Sequence, residues 1–196
     1  MPALTAQASC ARFRRALEDV ASRGVRITGP RFRATSPRWA ASRRLLDGEG
    51  ARRGGGRWNP PGIPVAYLSD TPEAALTGYP AGLRSAGFAV NGGLPAVIAW
   101  GEVDLHRVLD LKQPTVRARL KARPGLALDW RAENEAGREA VSQALGRAAR
   151  EAGFEGLLVP SAVVHGVMNL VVFVDRIGRS SRVEAHGLLS PDGSGS

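Results

Sequence analysis

The sequence carries a single cysteine, Cys10, and only three histidines, His106, His165 and His186, so neither a disulfide framework nor a Cys/His zinc module can be assembled from it. Long apolar runs are missing as well. Leu157 to Val159 and Leu170 to Val174 fall far short of the roughly 20 residues a bilayer span needs. Met1 to Ala8 does not follow the charged-then-apolar layout of a secretory signal, and Glu18 and Asp19 argue against a transit peptide, so the expected location is cytoplasmic. Three common chemical signatures are also lacking. There is no GxxxxGK[ST] phosphate loop; Arg53 stands where the third glycine of a dinucleotide fingerprint beginning at Gly48 belongs; and Ser161 lies in PSAVV rather than in GxSxG.

What is present is arginine. The net charge is +9, and lysine contributes only Lys112 and Lys121. Residues 1–60 hold 13 arginines against 4 acids, whereas residues 61–196 hold 14 basic and 14 acidic residues, so the whole excess sits in the first third. An Arg-dense segment suits an anionic partner, either nucleic acid or a phosphorylated small molecule, or is a solvated basic face.

The pattern of elements predicts one α+β domain with a mixed or antiparallel sheet and flanking helices, because strict strand–helix alternation is missing. Phe13, Leu17 and Val20 recur at helical spacing within a helix over Ala11 to Ala21. Gly29-Pro30 is expected to break the chain before a strand from Arg31 to Thr35, and Ser42 to Asp47 to form a helical turn. Gly48 to Gly62 reads as a long ordered loop. A strand over Ile63 to Leu68 leads to a helix start with Asp70 or Thr71 as N-cap, and Pro80 closes that helix. Two strands follow, over Pro95 to Gly101 and Arg107 to Leu111, then a short helix over Thr115 to Ala122 and a longer one over Glu133 to Ala152. Gly156 to Pro160 and the almost wholly apolar Asn169 to Asp175 are the last strands, the second central to the sheet.

The densest chemistry lies between Arg33 and Tyr79. A glycine-rich loop bearing Arg53 and Arg57 can aim N–H groups and guanidinium forks at phosphate oxygens, while Trp58 and Tyr67 offer flat faces for a base or nicotinamide ring. The alternative is structural, with Trp58 a core plug and Asn59 a turn cap. Ser161 and His165 are a weaker pair, on a segment that reads as a loop.

FRATSPRW, GEGARRGGGRWNPPGIPVAYLSDTPEAAL, EGLLVPSA and MNLVVF occur in the order and spacing of the RES domain family, which this chain resembles from about Arg31 to Phe173. The resemblance implies a fold similar to ADP-ribosyltransferase toxins and NAD+ as the substrate, destroyed by hydrolysis or phosphorolysis or used for ADP-ribosyl transfer. It implies no metal, and an antitoxin partner with a helix-turn-helix domain. The chain is expected to divide into an N-terminal helical extension over residues 1–28, a RES domain over residues 29–189 and, from its composition, a disordered tail over residues 190–196; Met1 to Arg26, outside the match, is either where that antitoxin docks or a segment that completes the fold. Arg33 and Arg57 match the family's arginines and would grip the NAD+ diphosphate. Tyr67 matches the strand tyrosine, placed near the nicotinamide; Ser161 matches the serine, placed on a ribose hydroxyl or the carboxamide; Asn169 occupies the polar position before the last core strand.

The family's glutamate has no counterpart, because Gly78 stands in its place. A carboxylate there would stabilise the cationic sugar left as nicotinamide departs. Glu73, about 140° around the helix from position 78, is no substitute, and Asp70 reads as a cap. Gly78 itself reads as a helix-ending residue. The expected activity is therefore a weakened RES-type reaction on NAD+. The alternatives are a catalytically inactive module that binds NAD+ or ADP-ribose and acts through a partner, and a nucleic-acid binder using the basic first third.

Overall fold

The computed structural model describes residues 6–37, 45–85, 95–122, 126–127 and 129–189. Helix α1 (Ala6–Glu18) places Cys10, Phe13 and Leu17 on one buried stripe, and Val20 follows it into the same core. It starts earlier than the periodicity predicts and packs against α6 (Val141–Glu151), so this N-terminal helix completes the main core. Strand β1 (Val25–Thr35) runs straight through Gly29-Pro30, correcting the expected break. Pro30 is accommodated because β1 has a partner, Glu102 of β3, on one side only at that position.

The expected turn at Ser42 to Asp47 lies largely outside the described residues; Leu45 to Asp47 form a turn. The predicted loop from Gly48 contains a short helix, α2 (Glu49–Gly54), held by Glu49 to Arg52 and Arg53. After β2 (Val65–Ser69), the Thr71 hydroxyl accepts the Ala74 N–H and starts α3 (Pro72–Ser85). That helix passes through Pro80 rather than stopping there.

The two strands predicted over residues 95–111 are one, β3 (Val97–Asp110). It is followed by α4 (Pro114–Leu120) and α5 (Trp130–Glu135). The long helix predicted over Glu133 to Ala152 is interrupted: Gly137 adopts φ +71°, a left-handed conformation that ends α5, and the chain restarts as α6. Strands β4 (Gly156–Pro160), β5 (Met168–Phe173) and β6 (Arg182–Leu188) complete the sheet. No helix among the described residues is long and apolar enough to cross a membrane.

The sheet is mixed, in the order β1-β2-β5-β4-β3-β6, with only β3 and β4 parallel. A further β1–β3 pairing closes a ring of five strands. Inside the ring lie Leu68, Val103, Leu105, Leu170 and Val172; on its outer face Val65, Leu157, Val171 and Phe173 meet α1 and α6. The ring is thinnest between β1 and β2, which pair at the single position Phe32–Ser69.

Glu155, 6% exposed, ties this frame together. Its carboxylate accepts the N–H groups of His106, Arg107 and Gly178 at 2.7, 2.9 and 2.8 Å. Burial opposes its ionisation, but hydrogen bonds from Ser181 and these three N–H groups outweigh it and hold the carboxyl below its ordinary value. A depressed folded value means that this stabilisation is complete above the unfolded carboxyl range, near pH 4.3, and is lost as pH falls through the folded value. Glu155→Gln is expected to cost about 3 kcal/mol at neutral pH. Denaturation midpoints below pH 4.5 should fall less steeply for that variant than for the parent chain; parallel curves would remove Glu155 from this role.

Candidate functional site

Phe32, Ser69, Asn169 and Val159 occupy one rung across β1, β2, β5 and β4. It lies at a rim of the ring, where β2 ends at Ser69, β5 begins at Met168 and β4 ends at Pro160. The Ser69 hydroxyl donates to Asn169 Oδ1 at 3.1 Å, and the Asp70 carboxylate accepts a long bond, 3.4 Å, from the Met168 N–H. Because Thr71 caps α3, Asp70 is not the cap and stands exposed at the rim.

The glycine-rich loop is fastened to this rim from beneath. Tyr67 donates its hydroxyl to Asn59 Oδ1 at 2.8 Å and accepts the Trp58 N–H at 3.0 Å, while burial pushes its phenol well above the ordinary range. A Cβ on Gly56 would stand 2.6 Å from the Tyr67 hydroxyl, so the loop passes there only as glycine. Asn59 donates to the carbonyls of Ala51, Pro60 and Ile63, and Gln143 of α6 donates to those of Gly56 and Asn59. The Tyr67 hydroxyl therefore organises the loop. Tyr67→Phe strands the Trp58 N–H and Asn59 Oδ1, with an expected loss of about 1–3 kcal/mol in urea denaturation; an unchanged midpoint would show that the loop is held without it.

The loop's outcome for its two aromatic and cationic residues is opposite. Trp58 is 4% exposed and packed in the larger core, which supports the plug and leaves no open face for a base. Arg57 turns to the rim, where its guanidinium donates to the Pro160 carbonyl at 3.0 Å. Next along the chain, Ser161 Oγ accepts the N–H groups of Val163 and Val164 and shapes a turn that its own N–H closes on the Val167 carbonyl at 2.8 Å. His165 is exposed on that turn. Gly78 lies inside α3, so it does not end the helix; a Cβ there would meet only Val163 Cγ2, at 4.0 Å.

Arg57, Ser161 and Asn169 thus gather at the outer rim, Tyr67 lies two positions further down β2 beneath the loop, and position 78 faces the Ser161 turn. Arg33 is on the inner face of the ring. The antiparallel register sets it across from Leu68, one step inside the rim, where it donates to the Leu45 carbonyl at 2.7 Å. Burial pushes the guanidinium of Arg33, and that of Arg57, below the ordinary arginine range. Neither forms an ion pair among the described residues, whereas Arg14, Arg26, Arg52, Arg147 and Arg150 each pair with a carboxylate. Two half-buried cations without carboxylates are suited to an anion from outside. Among the described residues no group of three His, Cys, Asp or Glu could hold a metal ion.

Ser69, Asp70, Asn59 and Gln143 carry more of the site's architecture than the sequence reading assigns them. Gln143 had a usable signal, since it lies three residues after the helix boundary at Ala140 and accepts the Ala140 N–H.

The RES domain model matches residues 26–192. The chain is 35% identical over 137 residues, 67% of its own length and 67% of the relative's, to proteins named NAD(+) phosphorylase MbcT from Mycobacterium bovis and Mycobacterium tuberculosis. A chain in the crystal structure of the M. tuberculosis MbcT–MbcA toxin–antitoxin complex is similar with a TM-score of 0.66 and 29% identity, covering 92% of this chain and 93% of that one.

Proposed function

Because the chain belongs to the RES domain family, we propose that it acts as a toxin on NAD+, breaking the bond between nicotinamide and ribose with inorganic phosphate as the acceptor. The observation that carries this reading is the pair Arg33 and Arg57, burial-disfavoured cations at or just inside one rim that pair with no carboxylate among the described residues; each donates to a backbone carbonyl, and Arg57 also lies over the Trp58 ring, 5.7 Å from its centroid. Their role is to neutralise the NAD+ diphosphate and fix the nicotinamide ribose. Tyr67 holds the loop that presents Arg57, Asn169 with Ser69 holds the rung beneath the Ser161 turn, and Ser161 offers a hydroxyl to the ribose or the carboxamide.

In the reaction the nicotinamide nitrogen takes the electrons of its bond to C1″, and a phosphate oxygen supplies the pair that replaces it. The products are nicotinamide and ADP-ribose 1″-phosphate. No carboxylate stands at position 78 to stabilise the cationic sugar, so the rate is lowered by about two to three orders of magnitude. Water and a protein side chain as acceptors are the competing outcomes.

An antitoxin covering the site, with a helix-turn-helix domain as the family resemblance implies, is the expected partner. Leu76 and Val163, 43% and 46% exposed beside position 78, suit such a cover. The nucleic-acid reading is weakened because Arg14, Arg26, Arg52 and Arg53 in the basic first third are paired with acids. Mass spectrometry of NAD+ incubated with the chain, with and without phosphate, tests the proposal. Phosphate-dependent nicotinamide and ADP-ribose 1″-phosphate support it; ADP-ribose in equal amount under both conditions replaces phosphorolysis by hydrolysis; NAD+ bound but intact favours the binding module.

A further inference from the structure

A third arginine shares the environment of Arg33 and Arg57 and lies outside the residues assigned so far. Arg31 is two residues from Arg33 on the same inner face of β1, and both line one small cavity with Leu46, Leu68 and Trp100. The Phe32–Ser69 register puts Arg31 across from Asp70, just past the end of β2, where β1 has no strand on that side. Its guanidinium donates to the Pro30 carbonyl at 2.7 Å. Asp70 and Glu102 are the acids that influence it, and neither is within ion-pair distance. Burial lowers its pKa as it does for the other two.

Phosphorolysis of NAD+ brings three phosphates to one site, two joined in the diphosphate and one free. Among the described residues, Arg31, Arg33 and Arg57 are half-buried at or just inside one rim and none of them forms an ion pair, although Asp70 and Glu102 act on Arg31 from beyond ion-pair distance. Arg33 lies deepest and Arg57 reaches in from the glycine-rich loop, which leaves Arg31 on the open side of the β1–β2 gap. We propose that Arg31 holds the acceptor phosphate and so sets the preference for phosphate over water, an inference that rests on the NAD+ reading above. Held there, a phosphate oxygen forms the bond to C1″ as the bond to nicotinamide breaks. The proton of hydrogenphosphate remains on the product ester or passes to solvent.

The test uses initial rates of nicotinamide release by the Gly78→Glu chain over a range of phosphate concentrations. Adding Arg31→Gln is expected to raise the phosphate KM at least tenfold, keep the NAD+ KM within twofold and shift the product from ADP-ribose 1″-phosphate towards ADP-ribose. Arg31→Lys, which keeps the charge, is expected to recover most of the phosphate dependence. An unchanged phosphate KM in Arg31→Gln overturns the inference and leaves NAD+ cleavage standing. If Gly78→Glu does not turn over, calorimetric titration of inorganic phosphate into the NAD+-loaded parent chain decides instead, and equal affinity in Arg31→Gln overturns the inference. A chain that binds no NAD+ overturns both readings together.

Discussion

Gly78→Glu is expected to raise the rate of nicotinamide release from NAD+ by about 100-fold or more. The site is ready for the side chain: position 78 is inside α3, its φ lies outside the left-handed region, and a Cβ meets nothing nearer than Val163 Cγ2 at 4.0 Å. From there a carboxylate faces the Ser161 turn, where it can stabilise the cationic ribose as nicotinamide leaves. The same substitution removes a glycine from a helix interior, so the chain should also gain about 0.5–1 kcal/mol of stability. Gly78→Gln separates the two effects, since it shares the helix gain and the size but brings no charge. Stability rising in both variants with rate rising only in Gly78→Glu is the expected result. Equal rates in all three chains would mean that position 78 is not where the acid acts.

Arg33→Gln should move binding and stability in different directions. Among the described residues the burial of Arg33 is offset by the Leu45 carbonyl and, more weakly, by Asp47, which do not restore its ordinary value, so neutralising it relieves the empty protein while depriving a bound diphosphate of a charge-assisted contact. NAD+ affinity is expected to fall by about 10- to 100-fold, the range for a hydrogen bond to a charged group. The melting temperature should hold or rise. Falling stability with unchanged affinity would make Arg33 a structural residue that merely secures the Leu45 turn.

Much of this chain can be read without coordinates where one local rule decides. The spacing of Phe13, Leu17 and Val20 finds α1, and the run Ser69 to Glu73 finds the start of α3. The mixed sheet follows from the irregular order of strands and helices. Failures occur where tertiary contacts override punctuation. Gly29-Pro30 sits inside β1 because the strand is unpartnered on one side there, and β3 bridges two segments because β1 pairs with nearly all of it. β6, mostly exposed and paired only to β3, offers no apolar run to recognise.

The site residues divide in the same way. The resemblance points to side chains on the elements that end at or near the rim, but no sequence pattern tells that Trp58 faces the core while its neighbour Arg57 donates to the rim carbonyl of Pro160. Nor does it reveal that Arg33 and Arg31 lie on the inner face of a closed ring, because that depends on the single Phe32–Ser69 pairing. The reading of Asp70 as the helix cap fails for a local reason, since the Thr71 hydroxyl reaches the Ala74 N–H instead.

Calorimetric titration of NAD+ into the unaltered chain tests the central claim most directly, because binding needs the arginines but not the missing acid. One NAD+ per chain, with an affinity that persists at moderate salt and falls in Arg33→Gln and Arg57→Gln, is the predicted result. No binding by the folded chain, or affinity that ignores both arginines, would contradict it.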